Sequence, residues 1–476
     1  MTPRLYVLTG ASGSGKTTLL NNIAAVDELH VDPKVKAIRA PKFSERSKRQ
    51  KDGELDDITH VSQIELGDFD IAYVINRVKY GIKLNPIREL LTKGLNPFIV
   101  LSDFRVVRQL KNLFGKQVRC LYVSSAIDPD RLRRIQLERL GFQPTDNQKT
   151  MLSYHFARAS AASRLGWWDR VSDCMFELEA DWHAYASDAK STEVRAQRIR
   201  AFHIRYIEHL HMFDHVILNY SENNPDEMTT QARNLIVSSD RIEQSKKKHP
   251  PIFVVAAASG AGKGTLMEML HFIGRDKVQI TSKLAKRALN VKDKRDGMIA
   301  LKRTSDDAIP EWPKWWSRTM IDQALTGSFP TEYDLYWEFH KKSGARGTQY
   351  AVSHSEIQRN LIAGIPQILV SNMDQFSMFR TIWPENVVFV YLHRLVSDHD
   401  NREFQIRNWK DDPVQAQIRI EEKKDVHEAY IRNISEFDHV LLNTGFEEDL
   451  YDQMFGLLEH YSSPTQSISS LPIIRP

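Results

Sequence analysis

Short runs of consecutive apolar residues alternate along this chain with longer stretches in which apolar positions recur every three or four residues. Leu5 to Leu8, Pro97 to Leu101, Val118 to Val123, Ile252 to Ala256, Gln367 to Val370 and Val387 to Leu392 are of the first kind. Runs this short and this rich in β-branched residues predict strands buried on both faces. The amphipathic stretches between them predict helices that cover those faces. The alternation predicts an α/β fold of mostly parallel sheets flanked by helices, with ligands gathered at the carboxyl ends of the strands.

The pattern occurs twice. Leu5-Tyr6-Val7-Leu8-Thr9 runs into Gly10-Ala11-Ser12-Gly13-Ser14-Gly15-Lys16-Thr17-Thr18, and Ile252-Phe253-Val254-Val255-Ala256 runs into Ala257-Ala258-Ser259-Gly260-Ala261-Gly262-Lys263-Gly264-Thr265. Phe213-Asp214-His215-Val216-Ile217-Leu218-Asn219 returns as Phe437-Asp438-His439-Val440-Leu441-Leu442-Asn443. A third pair, Phe69-Asp70-Ile71-Ala72-Tyr73 and Tyr333-Asp334-Leu335-Tyr336-Trp337, is followed by Tyr80-Gly81-Ile82 and Tyr350-Ala351-Val352. Landmarks in a fixed order at altered spacing predict a duplication with insertions. The expected layout is a first domain over 1–240, a polar basic linker over 241–250, a second domain over 251–461 and a loosely held tail rich in Ser and Pro over 462–476. A helical insertion carrying Trp167, Trp168 and Trp182 is expected at about 142–192.

Composition narrows the function classes. With 41% hydrophobic and 26% charged residues, the 476-residue chain has the mix of a folded globular protein and the length for more than one core. A formal charge of +4 is small for that length, so no nucleic-acid partner is expected. The two cysteines, Cys120 and Cys174, form no metal or disulfide spacing. No apolar stretch approaches the roughly 18 residues of a membrane span, and the chain enters its first strand without a leader pattern. The expectation is a cytoplasmic protein with no membrane partner.

Both strand-to-helix loops read as phosphate sites. Backbone N–H groups converge there on an anion, the helix N-terminus adds a favourable partial charge, and glycines let the backbone come close. Gly10, Gly15 and Lys16 match G-x-x-x-x-G-K-[ST], with Ser12, Gly13, Ser14 and Thr18 completing the cradle. Lys16 can reach the β and γ phosphates of ATP, and Thr17 can ligate Mg²⁺. A glycine-rich turn that happens to contain a lysine is the bland alternative. The second loop departs from the motif: Ala257 replaces the first glycine and Gly264 follows Lys263, so the hydroxyl arrives one place late at Thr265. Ser259, Gly260, Gly262, Lys263, Gly264 and Thr265 either bind nucleotide or keep the fold without the activity. The Gly-Lys-Gly-Thr order resembles the loop of adenylate kinases, where it is compatible with catalysis.

Over most of each half the chain resembles the guanylate kinase group of P-loop kinases, which includes ribose 1,5-bisphosphate phosphokinases. The resemblance implies two P-loop kinase domains and ATP-dependent phosphoryl transfer to a small phosphorylated acceptor, a sugar phosphate or a nucleotide-like molecule. A guanylate-type nucleoside monophosphate kinase, and a partly non-catalytic scaffold that binds phosphorylated ligands under a regulatory second domain, stay open as alternatives. Arg39-Ala40-Pro41, Arg46 and Arg49 fall where the family carries acceptor-phosphate arginines. Tyr80, at the end of the acceptor hairpin, would donate its hydroxyl to the acceptor's phosphate or else be a core tyrosine, and Tyr350 is the substrate-binding candidate of the second half. Ala72 and Ile82 stand where guanylate kinases read the guanine edge, which argues against guanine. Asp103 resembles the single survivor of an Asp-x-Asp pair, a metal or acceptor contact or else a helix N-cap. Arg134 and Arg139 match lid arginines that would neutralise charge on the transferred group.

Overall fold

The structure, a computed structural model, describes residues 2–11, 13–30, 37–46, 58–65, 67–75, 78–125, 192–219, 225–238, 249–273, 277–286, 298–300, 316–339, 348–395, 398–408, 410 and 412–462. Nearly all of the insertion expected at 142–192, and of the expected linker and tail, lies outside these residues.

The first part runs β1 (Leu5–Thr9), α1 (Lys16–His30), β2 (Ala37–Arg39), β3 (Lys42–Ser44), β4 (Thr59–His60), β5 (Ile71–Ile75), β6 (Val78–Ile82), α2 (Leu84–Thr92), β7 (Asn96–Val100), α3 (Phe104–Phe114), β8 (Val118–Ser125), α4 (Thr192–Glu208), β9 (His215–Asn219) and α5 (Pro225–Val237). Five strands form a parallel sheet in the order β2-β7-β1-β8-β9. The other four form a smaller mixed sheet, β4-β3-β6-β5, in which β6 is antiparallel to both neighbours. β1 is central and all five of its residues are buried, as a run apolar on both faces requires.

The second part repeats this order: β10 (Ile252–Ala256), α6 (Lys263–Ile273), β11 (Gln279–Ile280), β12 (Lys283–Ala285), β13 (Met298–Ala300), α7 (Arg318–Leu325), β14 (Leu335–Phe339), β15 (Thr348–Val352), α8 (His354–Ile362), β16 (Gln367–Val370), α9 (Phe376–Ile382), β17 (Val387–Arg394), α10 (Asp398–Asn408), α11 (Pro413–Arg432), β18 (His439–Asn443) and α12 (Glu447–Ser462). Its parallel sheet, β11-β16-β10-β17-β18, and its mixed sheet, β13-β12-β15-β14, match the first pair strand for strand. The fold is therefore the expected α/β class, with parallel sheets flanked by helices.

The repeated Phe-Asp-His-Val motif has a structural job. The Asp214 carboxylate accepts a 2.7 Å bond from the Cys120 amide, and Asp438 accepts a 2.8 Å bond from the Phe389 amide, so each aspartate ties the start of its strand to β8 or β17. Phe213 and Phe437 meet the edges of Tyr122 and Tyr391. Those tyrosines stack on Tyr206 and Tyr430 at 3.9 and 4.0 Å between ring centroids. All four tyrosines are buried in one apolar core that runs continuously from Leu5 to Leu458.

The two parts meet along β9 and β18, with α4 packed on α12 and α5 on α11. Polar groups cross the contact. Arg200 forms a bidentate pair with Asp449 at 2.5 and 2.7 Å, His427 bonds to Glu227, and the Asn234 amide donates to the Ile431 carbonyl at 2.8 Å.

Candidate phosphate-binding site

The first glycine loop lies between the carboxyl end of β1 and the first turn of α1. Gly13 and Gly15 have φ of 80° and 95°, the left-handed region that glycine adopts without a Cβ clash. At Gly10 the constraint is space: a Cβ there would stand 2.4 Å from the Val123 carbonyl oxygen. The Lys16 ammonium is buried and donates to the carbonyls of Gly10 and Ala11 at 2.7 and 2.5 Å. Behind the loop, the Asn219 side-chain amide at the end of β9 donates to the Ser14 carbonyl at 2.9 Å. A Cβ on Gly15 would come within 2.9 Å of that amide nitrogen and 3.0 Å of Met228 Cε. Ser14 is buried, while Thr17 and Thr18 are exposed on the first turn of α1. Ser12 lies outside the described residues.

The second loop repeats the cradle. Gly260 and Gly262 have φ of 78° and 106°. Lys263 Nζ donates to the carbonyls of Ala257 and Ala258 at 2.8 Å each, and Asn443 Nδ2 donates to the Ala261 carbonyl at 2.8 Å. Ser259, Gly264 and Thr265 are half-buried around it.

The sheet edge expected to hold the acceptor differs between the two. Arg39 is the last residue of β2, and its Nη2 donates to Asn21 Oδ1 on α1 at 2.9 Å, which joins β2 to the loop helix. Arg39 is paired in register with Phe98 of β7, and the matching place in β11, opposite Ile368 of β16, is held by Ile280. The second part thus has no arginine in this register. Tyr80 and Tyr350 do occupy matching places, opposite Ser44 and Ala285, with Tyr80 stacked on Tyr73 at 5.3 Å and Tyr350 on Trp337 at 6.0 Å. Ala72 and Tyr336 also match, opposite Gly81 and Ala351. Arg46 follows β3, with its amide on Ser44 Oγ and its carbonyl 2.8 Å from His60 Nδ1. Arg49, Arg134 and Arg139 lie outside the described residues.

Asp103 is the N-cap of α3. It accepts from the Arg105 amide at 2.8 Å and pairs with Arg105 Nη2 at 2.7 Å. Burial works to raise its pKa, but the bonds and charge of Arg105 together hold the carboxyl below its ordinary value.

One buried acid belongs to the second part alone. The amides of Leu84 and His354 bond to the carboxylates of Asp70 and Asp334, so α2 and α8 start alike and Pro86 is the positional counterpart of Glu356. Glu356 is buried and accepts from the Ser282 amide and hydroxyl at 3.3 and 3.2 Å. Burial pushes its carboxyl up to about 7, against the lowering effect of the Ser282 bonds and Arg359.

Sequence reasoning passed over two recurrent pairs. Asn219 and Asn443 close the repeated motif, yet only the fold brings them behind the loops. Lys42 and Lys283 are both buried and donate to the carbonyls of Val100 and Val370, at 2.9 and 3.0 Å, where the mixed sheet meets the carboxyl edge of the parallel one. Their signal was a lysine placed just after the second strand in each part.

No family model and no curated protein matches this chain. Among solved structures, it is similar to the crystal structure of guanylate kinase from Anaplasma phagocytophilum, at 15% sequence identity over 46% of this chain and 89% of that one, with a TM-score of 0.29.

Proposed function

We propose that the first part of the chain binds ATP with Mg²⁺ and transfers the γ-phosphoryl group to a small acceptor that already bears a phosphate, such as a sugar phosphate. The observation that supports this best is the seat of Lys16: a buried ammonium on two loop carbonyls, at a helix N-terminus, on the carboxyl edge of a parallel sheet. The amides of Gly13, Ser14 and Gly15 would hold phosphate oxygens, and Lys16 would turn from the carbonyls to the β and γ oxygens. The exposed Thr17 hydroxyl fits a cation carried on those phosphates, whose charge would offset that of the transferred group. Asp103, already engaged by Arg105, fits such a cation through a water only.

Arg39 would grip the phosphate already on the acceptor, with the Tyr80 hydroxyl beside it, and so aim the attacking oxygen at the γ-phosphorus. Ala72 and Ile82 offer no hydrogen bond to a guanine edge, so GMP should have no advantage over AMP or a sugar phosphate. In the Arg39→Ala protein we expect kcat/KM for the acceptor to fall ten- to hundredfold, roughly 1.5–3 kcal/mol for a charge-assisted contact, with ATP affinity unchanged. ADP release over a panel of GMP, AMP and sugar phosphates, with calorimetric ATP titration, measures both. Loss of ATP binding with Arg39 would put that residue in the nucleotide pocket, and turnover of GMP alone would defeat the argument from Ala72 and Ile82.

A further inference from the structure

One flank of the second loop is packed against α10 and α11, while Gly260 itself stays exposed and Ser259, Gly262 and Lys263 are half-buried. A cavity of about 10 Å³ lies between Ala258–Ala261, the end of β17 at His393 and Arg394, Asn401 of α10 and Lys423 of α11. That volume holds about one water and no phosphate. α10 makes the cover. Asn401 and Gln405 are buried at 4% and 3% exposure, unusual for amides on a helix, and Gln405 Nε2 stands 2.9 Å from where a Cβ on Gly260 would be. That Nε2 is buried without a hydrogen-bond partner, a donor held against an anion-binding loop. A phosphate group in that cavity would satisfy it, and to fit there would need α10 to move off Gly260.

α10 packs on α11, and α11 reaches the first part of the chain. Lys423 lines the covered cavity, and one turn further along α11 His427 lies 5.3 Å from the His393 ring and bonds to Glu227 of α5. The residue after Glu227 is Met228, the one that rests on Gly15 in the first loop. A second route runs the other way. Asn443 bonds the second loop, the next residue Thr444 donates to Asp449 at 2.6 Å, and Asp449 is paired with Arg200 on α4, one turn from His203, whose ring meets the Tyr122 hydroxyl. Tyr122 precedes Val123, whose carbonyl faces Gly10. Each loop is thus braced by a strand-end asparagine, and near each brace a helix-start acid pairs with a helix of the other part.

Resting on the reading of the loops as nucleotide sites, we propose that the second loop is a regulatory site for the phosphates of a nucleotide, opened by displacement of α10, and that α11 passes its occupancy to the first loop through the Glu227–His427 pair. The closed and opened states differ in a contact that a ligand can favour, which is what coupling between sites requires.

Calorimetric titration of the full chain with ATP and Mg²⁺ tests this. Lys263→Ala isolates the first site, Lys16→Ala isolates the second, and the unchanged chain reports both together. We expect one equivalent bound by each single-lysine protein, and affinities in the unchanged chain that differ from the isolated ones at least fivefold, equally at both sites as linkage demands. In Glu227→Gln and in His427→Gln, the two sites should titrate independently with the isolated affinities. Glu227→Asp keeps the charge and should keep the coupling, which separates a lost relay from a damaged fold. Two sites that bind without influence on each other would overturn the relay and leave the phosphate reading standing. Coupling that survives both Glu227→Gln and His427→Gln would overturn the assigned route. Binding at the first site alone would remove the regulatory site, and binding at neither would remove the functional reading with it.

Discussion

The two loops seat their lysines alike, each on two loop carbonyls, and the same asparagine braces each from behind. Around those cradles the two parts have diverged: Gly10 corresponds to Ala257, Arg39 to Ile280 and Pro86 to Glu356. The contrast follows from what each site is made of. A phosphate cradle is built from backbone amides and a helix end, so it tolerates most side-chain changes as long as the turn survives. An acceptor site is built from side chains, and one substitution can remove it. Two parts of one chain can therefore share the ability to hold a phosphate while only one keeps the arginine that would aim an acceptor.

The largest effect that would sharpen this comparison is at the lysines. Lys16→Ala should lower turnover about a hundred- to thousandfold, as loss of a preorganised transition-state donor does, while the melting temperature stays close to that of the parent. Lys263→Ala should leave the chemistry largely in place. Steady-state ADP release with a thermal melt of each protein measures this, and equal losses at both lysines would break the asymmetry.

Next in size is Glu356, the acid found in the second part only. Because burial raises its carboxyl from 4.5 to about 7, the folded chain holds a proton there, between those values, that the unfolded chain has released. Stability should accordingly fall as pH rises through that window and recover below it. Glu356→Gln keeps an oxygen for the Ser282 bonds and removes the charge. It should be more stable than the parent by about 3 kcal/mol at pH 8 and equal to it at pH 4, read by denaturant titration. A gain that did not change with pH would show that the carboxylate is not what burial penalises.

Smaller still is the effect at the loop entrances. Gly10→Ala would press a methyl on the Val123 carbonyl and should cost about 1–3 kcal/mol, whereas the second loop already carries Ala257, and Ala257→Gly should change stability by less than about 1 kcal/mol. Equal costs would mean that the two entrances have the same backbone.

Much of the fold could be read from the chain because its signals are local. Apolar runs at Leu5 and Ile252 became the central strands, and the repeated Phe-Asp-His-Val motif became two equivalent edge strands. The two loops were legible for the same reason, since glycine spacing and a lysine are enough to define a cradle. Asn219, Asn443, Lys42 and Lys283 were not, because each acts on a segment brought to it by sheet pairing rather than by spacing in the chain. Gln405 shows the limit most clearly: an amide in a polar helix looks solvated until that helix is laid across Gly260.

The junction between the two parts has a near two-fold pattern. α4 lies on α12 and α5 on α11, β9 faces β18, and Glu227 meets His427 while the charge of Asp449 acts on His203. These contacts come in pairs with the roles exchanged, although the Asn234–Ile431 bond has no such counterpart, and such pairing is the arrangement of an isologous homodimer. An ancestor that paired with its own copy, later joined into a single polypeptide, would leave this pattern. Joining of that kind would free the two copies from sharing one sequence and from the concentration dependence of assembly, so that a residue such as Arg39 could be kept in one and replaced in the other.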